Sequence, residues 1–170
     1  MSILAPMVRL GTLPLRLLAI ERGAELVYSE EIVAAKLAKA ERRVDERLGT
    51  VDWWVGGGIV LRTCAAERGR LVVQLGTSGA DEAVAAVAAL RFDPSDHLRD
   101  GIVGVDVNMG CPKRSAVSGG SGGALFADAE RAEAVVRALR AALPEWSWRQ
   151  ILGAATSPRA YFPGGKHDVR

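Results

Sequence analysis

The sequence predicts one domain of the α/β class, built from βα units around a parallel sheet. Short apolar runs alternate along the chain with segments of helical periodicity, which is the pattern of such units. Residues 102–107 form a nearly continuous apolar run, as expected of a strand buried on both faces. The length of 170 residues fits one domain, and 49% hydrophobic with 25% charged residues is ordinary for a globular protein.

The first βα unit begins close to the start of the chain. Residues 3–5 are predicted to form a short strand. A helix then extends to Arg22, with Pro14 in its first turn, where proline is tolerated, and Gly23 as its C-terminal cap. Residues 26–28 form the second predicted strand.

The next units carry less regular patterns. Residues 30–48 contain five acidic and five basic side chains, which we interpret as a helix with a solvated face. After a turn region with two tryptophans and three glycines, residues 59–63 and 71–75 are predicted strands joined by a polar turn. Residues 81–90 predict a helix, and the run over 102–107 completes four βα units.

The last unit ends in a helix that starts at Asp128 and is stopped by Pro144. A glycine-rich segment at residues 119–123 precedes it. Because this segment lacks the Lys-Ser/Thr pair of a P-loop, we interpret it as a substrate loop rather than a phosphate cradle. Residues 144–170 have no strand pattern and predict an irregular tail, with a possible short helix over 150–155.

Charge, cysteine usage and hydropathy exclude several classes. A net charge of +2 gives no electrostatic indication of nucleic-acid binding. Cys64 and Cys111 are too few for a disulfide framework and, like His97 and His167, have no neighbours at metal-ligand spacing, so no metal site is predicted. No apolar run reaches the roughly 18 residues that span a bilayer, so no membrane segment is predicted.

Reactive side chains follow the predicted strands. In βα architectures the loops at the C-terminal strand ends converge on one face and hold the reactive groups. We therefore expect these residues to share one mouth, with Pro6, Glu31, Gln74 and Cys111 clustered there. The positions that this rule selects are residues 5–8, Glu30, Glu31, Gln74 and residues 108–113.

Four of these segments resemble the motifs of one family. They are Leu-Ala-Pro-Met-Val-Arg at residues 4–9, Val-Tyr-Ser-Glu-Glu at 27–31, Val-Gln-Leu-Gly-Thr at 73–77 and Val-Asp-Val-Asn-Met-Gly-Cys-Pro-Lys at 105–113. In this order they resemble the tRNA-dihydrouridine synthases, in particular the eukaryotic branch that modifies position 20 of cytoplasmic tRNA. The resemblance covers about residues 3–143.

The resemblance implies a TIM barrel with FMN at its C-terminal mouth and a reaction on tRNA. NADPH would reduce the flavin, which would deliver hydride to C6 of a uracil while Cys111 gives the proton at C5. A thiol suits this role because it is mostly protonated at neutral pH yet can donate. The uracil must be splayed out of the tRNA to reach the flavin. Since the family's first strand matches the start of the chain, a cytoplasmic protein is expected rather than one with a mitochondrial presequence.

The family motifs also imply a cofactor site. Pro6, Met7 and Val8 would lie along the isoalloxazine ring, and Glu31 and Gln74 would contact the flavin or order its neighbours. Gln74 offers both a donor and an acceptor for the pyrimidine edge. Packing in the core remains the alternative for Met7, and an ordinary hydrogen-bonded barrel position the alternative for Gln74.

Three further residues are implied substrate contacts. Asn108 would touch the flavin or the uracil. Arg9 and Lys113 would face either the anionic reduced flavin or an RNA phosphate, and the sequence does not separate these roles. Cys64, outside the matched motifs, is interpreted as a small buried side chain.

Only four of the eight βα units of a TIM barrel are found, so residues 1–143 would be the N-terminal half of the FMN-binding domain. The family's lysine, histidine and phosphate-binding loops from the second half cannot be assigned. A non-catalytic remnant or an interaction module therefore stays open as the alternative, as does a related FMN barrel that acts on free pyrimidines. An unpaired edge after residue 107 would also permit self-association.

Overall fold

The computed structural model describes residues 2–90, 102–143 and 151–153. In this part of the chain the strands contribute to two separate sheets. The strands are β1 Ile3–Leu4, β2 Leu26–Tyr28, β3 Ile32–Val33, β4 Glu41–Asp45, β5 Thr50–Val55, β6 Gly58–Cys64, β7 Leu71–Gly76, β8 Ile102–Val107 and β9 Ile151–Gly153.

The helices lie between the strands and mostly follow them in the βα order that the sequence predicts. No helix of the described residues is long and apolar enough to cross a membrane. They are α1 Leu13–Glu21, α2 Ala34–Leu37, α3 Ala80–Ala89, α4 Arg114–Ser118, α5 Gly123–Phe126 and α6 Ala129–Ala142, with a 3₁₀ turn at Ala65–Glu67.

The main sheet is parallel, which confirms the predicted α/β class. Its strand order is β1-β2-β7-β8-β9, and the short β3 continues along β7 where β2 ends. Every pairing within it is parallel. The C-terminal ends of the strands therefore meet at one edge, and the loops that follow them are neighbours.

The core lies between this sheet and the helices on one of its faces. Val73 and Leu75 of β7 and Val105 and Val107 of β8 are fully buried in it. Helix α6 packs on α3 and contributes an apolar stripe that includes Leu139. Because side chains alternate along a strand, the intervening residues of β7 and β8 face the other side of the sheet.

Helix α6 begins where the sequence predicts. The side-chain oxygen Oδ1 of Asp128 accepts a hydrogen bond from the backbone N of Arg131 at 3.0 Å and so caps the first turn. Helix α1 likewise has a proline in its first turn and is followed by Gly23, whose φ of 94° favours glycine. These two helices confirm the capping patterns.

The helix predicted over residues 30–48 is wrong. This segment contains β3, α2 and β4, and β4 pairs with β5 and β6 in a three-stranded antiparallel sheet. A balanced run of charges is compatible with a helix and equally with a strand that is exposed on both faces, as β4 is. The tryptophans assigned to a turn lie in β5 instead, and the tight turn is limited to Gly56 and Gly57, both with positive φ.

Two buried contacts join the antiparallel sheet to the rest of the protein. The indole nitrogen of Trp53 donates to the carbonyl oxygen of Ala89 at 2.9 Å. Arg16 of α1 donates from Nε to Oε1 of Glu67 at 2.5 Å and from Nη2 to Oε2 at 2.9 Å, and both side chains are almost completely buried. Thr63 donates its hydroxyl to the same carboxylate at 2.9 Å.

The unpaired edge expected after Val107 is wrong as well, because β9 pairs in parallel with β8. Residues 151–153 thus form a strand where the sequence predicts no strand and a short helix over 150–155. Three residues are too few to show a period, which explains the failure. The remainder of the predicted tail lies outside the described residues.

Candidate functional site

The candidate site is the edge of the main sheet at which its parallel strands end. The loops after β1, β2, β7 and β8 are neighbours there, and the site residues that the sequence predicts lie in these loops, except Gln74, which lies in β7 itself. The four strands are neighbours in the order β1-β2-β7-β8, with about 4.8 Å between adjacent strands. The site is therefore a broad surface rather than a single contact point.

The loop after β1 is bent by its own backbone. The carbonyl oxygen of Met7 accepts hydrogen bonds from the backbone N of Leu10 at 3.1 Å and of Gly11 at 2.7 Å. Arg9 has a φ of 68°, which is unusual for a residue other than glycine. Pro6 and Met7 are half-buried by this bend, whereas Val8 and Arg9 are exposed.

Glu30, in the loop after β2, holds that bend in place. Its Oε2 accepts a hydrogen bond from the backbone N of Arg9 at 2.8 Å. The chains pass so closely that a Cβ at Gly11 would come within 2.8 Å of the backbone N of Glu30. Glu30 and Gly11 thus fix the loop that carries Pro6 and Met7.

Glu31 lies over the end of β7. A Cβ at Gly76 would collide with the Glu31 carboxylate, so the glycine leaves the space that this side chain fills. Glu31 is half-buried. The structure therefore places the predicted Glu31 at the mouth, directly above the strand that carries Gln74.

Gln74 is joined to a buried carboxylate that the sequence analysis did not select. Its Nε2 donates to Oδ2 of Asp106 at 2.7 Å, and the two residues are partners in the β7–β8 register. The backbone N of Gln74 donates to the hydroxyl of Ser29 at 3.0 Å. Gln74 and Asp106 are only 4% and 1% exposed, so the pair sits within the sheet face rather than in solvent.

Burial sets the electrostatics of this pair. Desolvation raises the pKa of Asp106 to about 6, although the hydrogen bond from Gln74 acts in the opposite direction. Desolvation, with the Asp106 charge as the smaller cause, also raises the pKa of Tyr28 to about 12. Oδ1 of Asp106 has no hydrogen-bond partner within the described residues. A carboxylate with one open oxygen is thus buried just below the site.

The loop after β8 holds Cys111 by its backbone on two sides. Oδ1 of Asn108 accepts from the backbone N of Gly110 at 2.9 Å and of Cys111 at 3.1 Å. On the other side, the backbone N of Gly123 donates to the carbonyl oxygen of Cys111 at 3.0 Å. A Cβ at Gly122 would come within 2.7 Å of that oxygen, so only glycine fits.

These contacts refine two predictions. The amide oxygen of Asn108, predicted to touch substrate or flavin, is occupied in shaping the cysteine loop, and only its nitrogen is left for a ligand. The glycine-rich segment packs on Cys111, and the amide of Gly123 is already used in this contact. Lys113 is exposed at the start of α4, like Arg9 on the first loop.

Sequence reasoning missed Ser29, Asp106 and the roles of Glu30 and Gly122. Asp106 had a signal, since a carboxylate inside an apolar run needs a buried partner. Glu30 and Glu31 are adjacent and both lie between β2 and β3, so no sequence pattern distinguishes their roles. No cluster of three or more metal-ligating side chains occurs among the described residues.

Comparisons with known proteins identify the relatives of this chain. Residues 3–146 match the family model of the dihydrouridine synthases. The tRNA-dihydrouridine(20) synthase (NAD(P)+) of Schizosaccharomyces pombe is 36% identical over 141 residues, which cover 80% of this chain and 28% of the relative. The enzyme of the same name from Saccharomyces cerevisiae is 39% identical over 132 residues, covering 73% and 32%.

A relative of another branch is less similar. The tRNA-dihydrouridine(47) synthase (NAD(P)(+)) of Chaetomium globosum is 31% identical over 146 residues, covering 82% of this chain and 20% of the relative. The chain spans about a third or less of the length of these curated relatives. The family model covers most of the chain itself, and the chain therefore belongs to the dihydrouridine synthase family, where its similarity groups it with the position-20 branch.

Proposed function

We propose that this chain forms part of a flavin-dependent tRNA-dihydrouridine synthase that reduces a uridine of tRNA, with Cys111 as the proton donor and NADPH as the reductant. The names of its relatives support the reaction on tRNA and a nicotinamide cofactor. The observation that carries the proposal is the position of Cys111, on a loop fixed by Asn108 and Gly122 at the C-terminal edge of a parallel sheet.

The residues at this edge fit the ring of FMN. Pro6, Met7 and Val8 form an apolar stretch on one side, and the carboxamide of Gln74 supplies a donor and an acceptor below it. When bound, FMN would supply the hydride.

The chain's own part in the reaction is to orient and to protonate. Asn108 and Gly123 hold the backbone of Cys111 from both sides, which limits the positions that its thiol can take. A proton from Sγ would go to C5 of the uracil, and the resulting thiolate would regain a proton from solvent. Arg9 and Lys113, exposed at the rim, would contact RNA phosphate or the charged cofactor.

The test compares the two cysteines in the protein that carries this chain, on tRNA lacking dihydrouridine with FMN and NADPH. Dihydrouridine is measured by mass spectrometry. Cys111→Ala should lower its formation by roughly 10²–10⁴-fold, the usual size of a general-acid effect. Cys64→Ala, at the end of β6 in the antiparallel sheet, is the matched control and should be active. Equal activity of the wild type and Cys111→Ala would remove Cys111 from the mechanism.

A second candidate is a non-catalytic interaction module of the family. The chain spans 28–32% of the length of the position-20 enzymes, and the residues that the family carries in its second half are not assigned in it. If the protein that carries this chain retains no flavin and forms no dihydrouridine, while still binding tRNA in a gel-shift assay, this candidate would be supported.

A further inference from the structure

The Gln74 side chain has only one orientational choice left once its strand is formed. Its backbone N is held by the Ser29 hydroxyl at 3.0 Å, and its carboxamide lies opposite Asp106 on the neighbouring strand. Both side chains are more than nine-tenths buried. The remaining choice is whether the amide nitrogen or the amide oxygen faces Asp106.

The carboxylate of Asp106 determines which end of the Gln74 carboxamide faces it. When ionised, Asp accepts hydrogen bonds and donates none, so only the Nε2 end of Gln74 can face it. The carboxamide must then point its oxygen Oε1 and its second N–H away from Asp106. An asparagine at the same position would accept from one orientation of Gln74 and donate to the other.

The open oxygen of Asp106 distinguishes this pair from a purely structural one. Oδ1 has no donor within the described residues, although it is fully buried. By contrast, the buried Glu67 receives hydrogen bonds from Arg16 and Thr63 on both of its oxygens. A buried carboxylate kept only for stability is expected to be fully hydrogen-bonded, because an unsatisfied oxygen costs free energy.

We propose that Asp106 is a positioning residue of the site, which fixes the Gln74 carboxamide so that a defined donor and acceptor face the bound ring. This rests on the proposed function, since the ring is that of FMN. The pyrimidine edge of the isoalloxazine presents an N–H between two carbonyl oxygens. A carboxamide of fixed orientation can accept from that N–H and donate to one neighbouring oxygen, whereas a flipped one would set donor against donor.

The first test reads the orientation without any flavin. The chain contains only two glutamines, Gln74 and Gln150, and one asparagine, Asn108, so three side-chain NH2 groups give the carboxamide signals of an ¹⁵N NMR spectrum. We expect the proton of Gln74 that is bonded to Asp106 to be strongly deshielded at about pH 7.5, where the carboxylate is ionised. Gln74→Glu assigns this signal by its loss.

The second test changes Asp106. Asp106→Asn keeps the shape, and Asp106→Leu removes every acceptor should the first variant be unstable. In both we expect the deshielding of the Gln74 proton to disappear while the backbone spectrum is retained. In the protein that carries this chain, FMN should bind about tenfold more weakly to either variant than to the wild type. Asp52→Asn, which changes the carboxylate paired with Arg62 in the antiparallel sheet, is the control and should leave both readouts unchanged.

The outcomes separate this proposal from the proposed function. A Gln74 signal that is the same in the wild type and in Asp106→Asn would overturn the positioning role, and so would equal FMN affinity of the two. If the protein that carries this chain binds no FMN, the proposed function is contradicted, while the carboxamide signal still decides whether Asp106 orients Gln74.

Discussion

The carboxyl groups of Glu67 and Asp106 are both buried, but they are hydrogen-bonded to very different extents. Glu67 receives two hydrogen bonds from Arg16 and one from Thr63, and Arg16 also donates to the carbonyl oxygens of Gly11 and Arg62. Asp106 receives one hydrogen bond, from a neutral carboxamide, and its second oxygen is open. The first group joins α1 to the antiparallel sheet, and the second lies beneath the edge where the strands end.

This difference in hydrogen bonding corresponds to a difference in role between the two carboxylates. A fully paired carboxylate such as Glu67 holds two elements together. An incompletely paired one such as Asp106 raises the free energy of the folded state, and the fold tolerates it because the surrounding sheet is well packed. Asp106, which lowers the stability of the fold, lies at the candidate site. Glu67, which contributes to stability, lies away from it.

The largest effect should follow from breaking the paired group. Glu67→Ala leaves the Arg16 guanidinium buried without its counter-charge, and we expect the free energy of unfolding to fall by about 3–5 kcal/mol. Urea unfolding followed by circular dichroism measures it. Glu133→Ala, which breaks the exposed pair with Arg137 on α6, should not move the midpoint. Similar midpoints for both variants would show that the buried pair contributes little.

The second prediction concerns pH and the incompletely paired group. The folded-state pKa of Asp106 is about 6, above its ordinary 3.8, so the folded protein binds this proton more tightly than the unfolded chain. The associated stability is fully present below about pH 4 and is lost as the pH rises through 6, a change of about 3 kcal/mol at most. Tyr28, whose pKa the Asp106 charge helps to raise, stays neutral throughout this range.

Asp106→Asn should remove this dependence. Other carboxylates act in the opposite direction, since the hydrogen bond from Arg62 lowers the pKa of Asp52, but they are common to both proteins. We therefore expect the difference between the unfolding free energies of the variant and the wild type to increase from pH 4 to pH 7. A difference that is constant with pH would mean that Asp106 does not titrate in this window.

The features that could be predicted from the sequence are those that depend on nearby residues, and the features that could not depend on pairing between distant segments. The long apolar strands β7 and β8 and the capped helix α6 were predictable, because each has a period or a cap that depends on local residues. The antiparallel sheet was not, because the charged β4 is exposed on both faces and is stabilised by pairing rather than by burial. At the site, the loops were predictable from strand ends, whereas the partner of Gln74 required the register of β7 against β8.

The smallest effect on stability, and the sharpest on the site, is expected for Gly122→Ala. Gly122 has a φ of 58°, which disfavours any residue with a Cβ, and the added carbon would meet the carbonyl oxygen of Cys111 at 2.7 Å. We expect a loss of about 1–3 kcal/mol in stability, as for other strained backbone positions. Gly57→Ala is the matched control, because Gly57 also has a positive φ but no atom within 4 Å of the added Cβ.

The two glycine variants separate backbone strain from displacement of the cysteine. Both should unfold at lower urea concentrations than the wild type, since both place alanine at a positive φ. Only Gly122→Ala must push Cys111 aside, and a shift of about 1 Å in a reacting group can lower the rate by roughly 10²-fold. Dihydrouridine formation should therefore fall in Gly122→Ala and stay near the wild-type value in Gly57→Ala. Equal activities would mean that the glycine-rich segment does not position the thiol, and that the hydrogen bonds from Cys111 and Gly110 to Asn108 are sufficient to hold the loop.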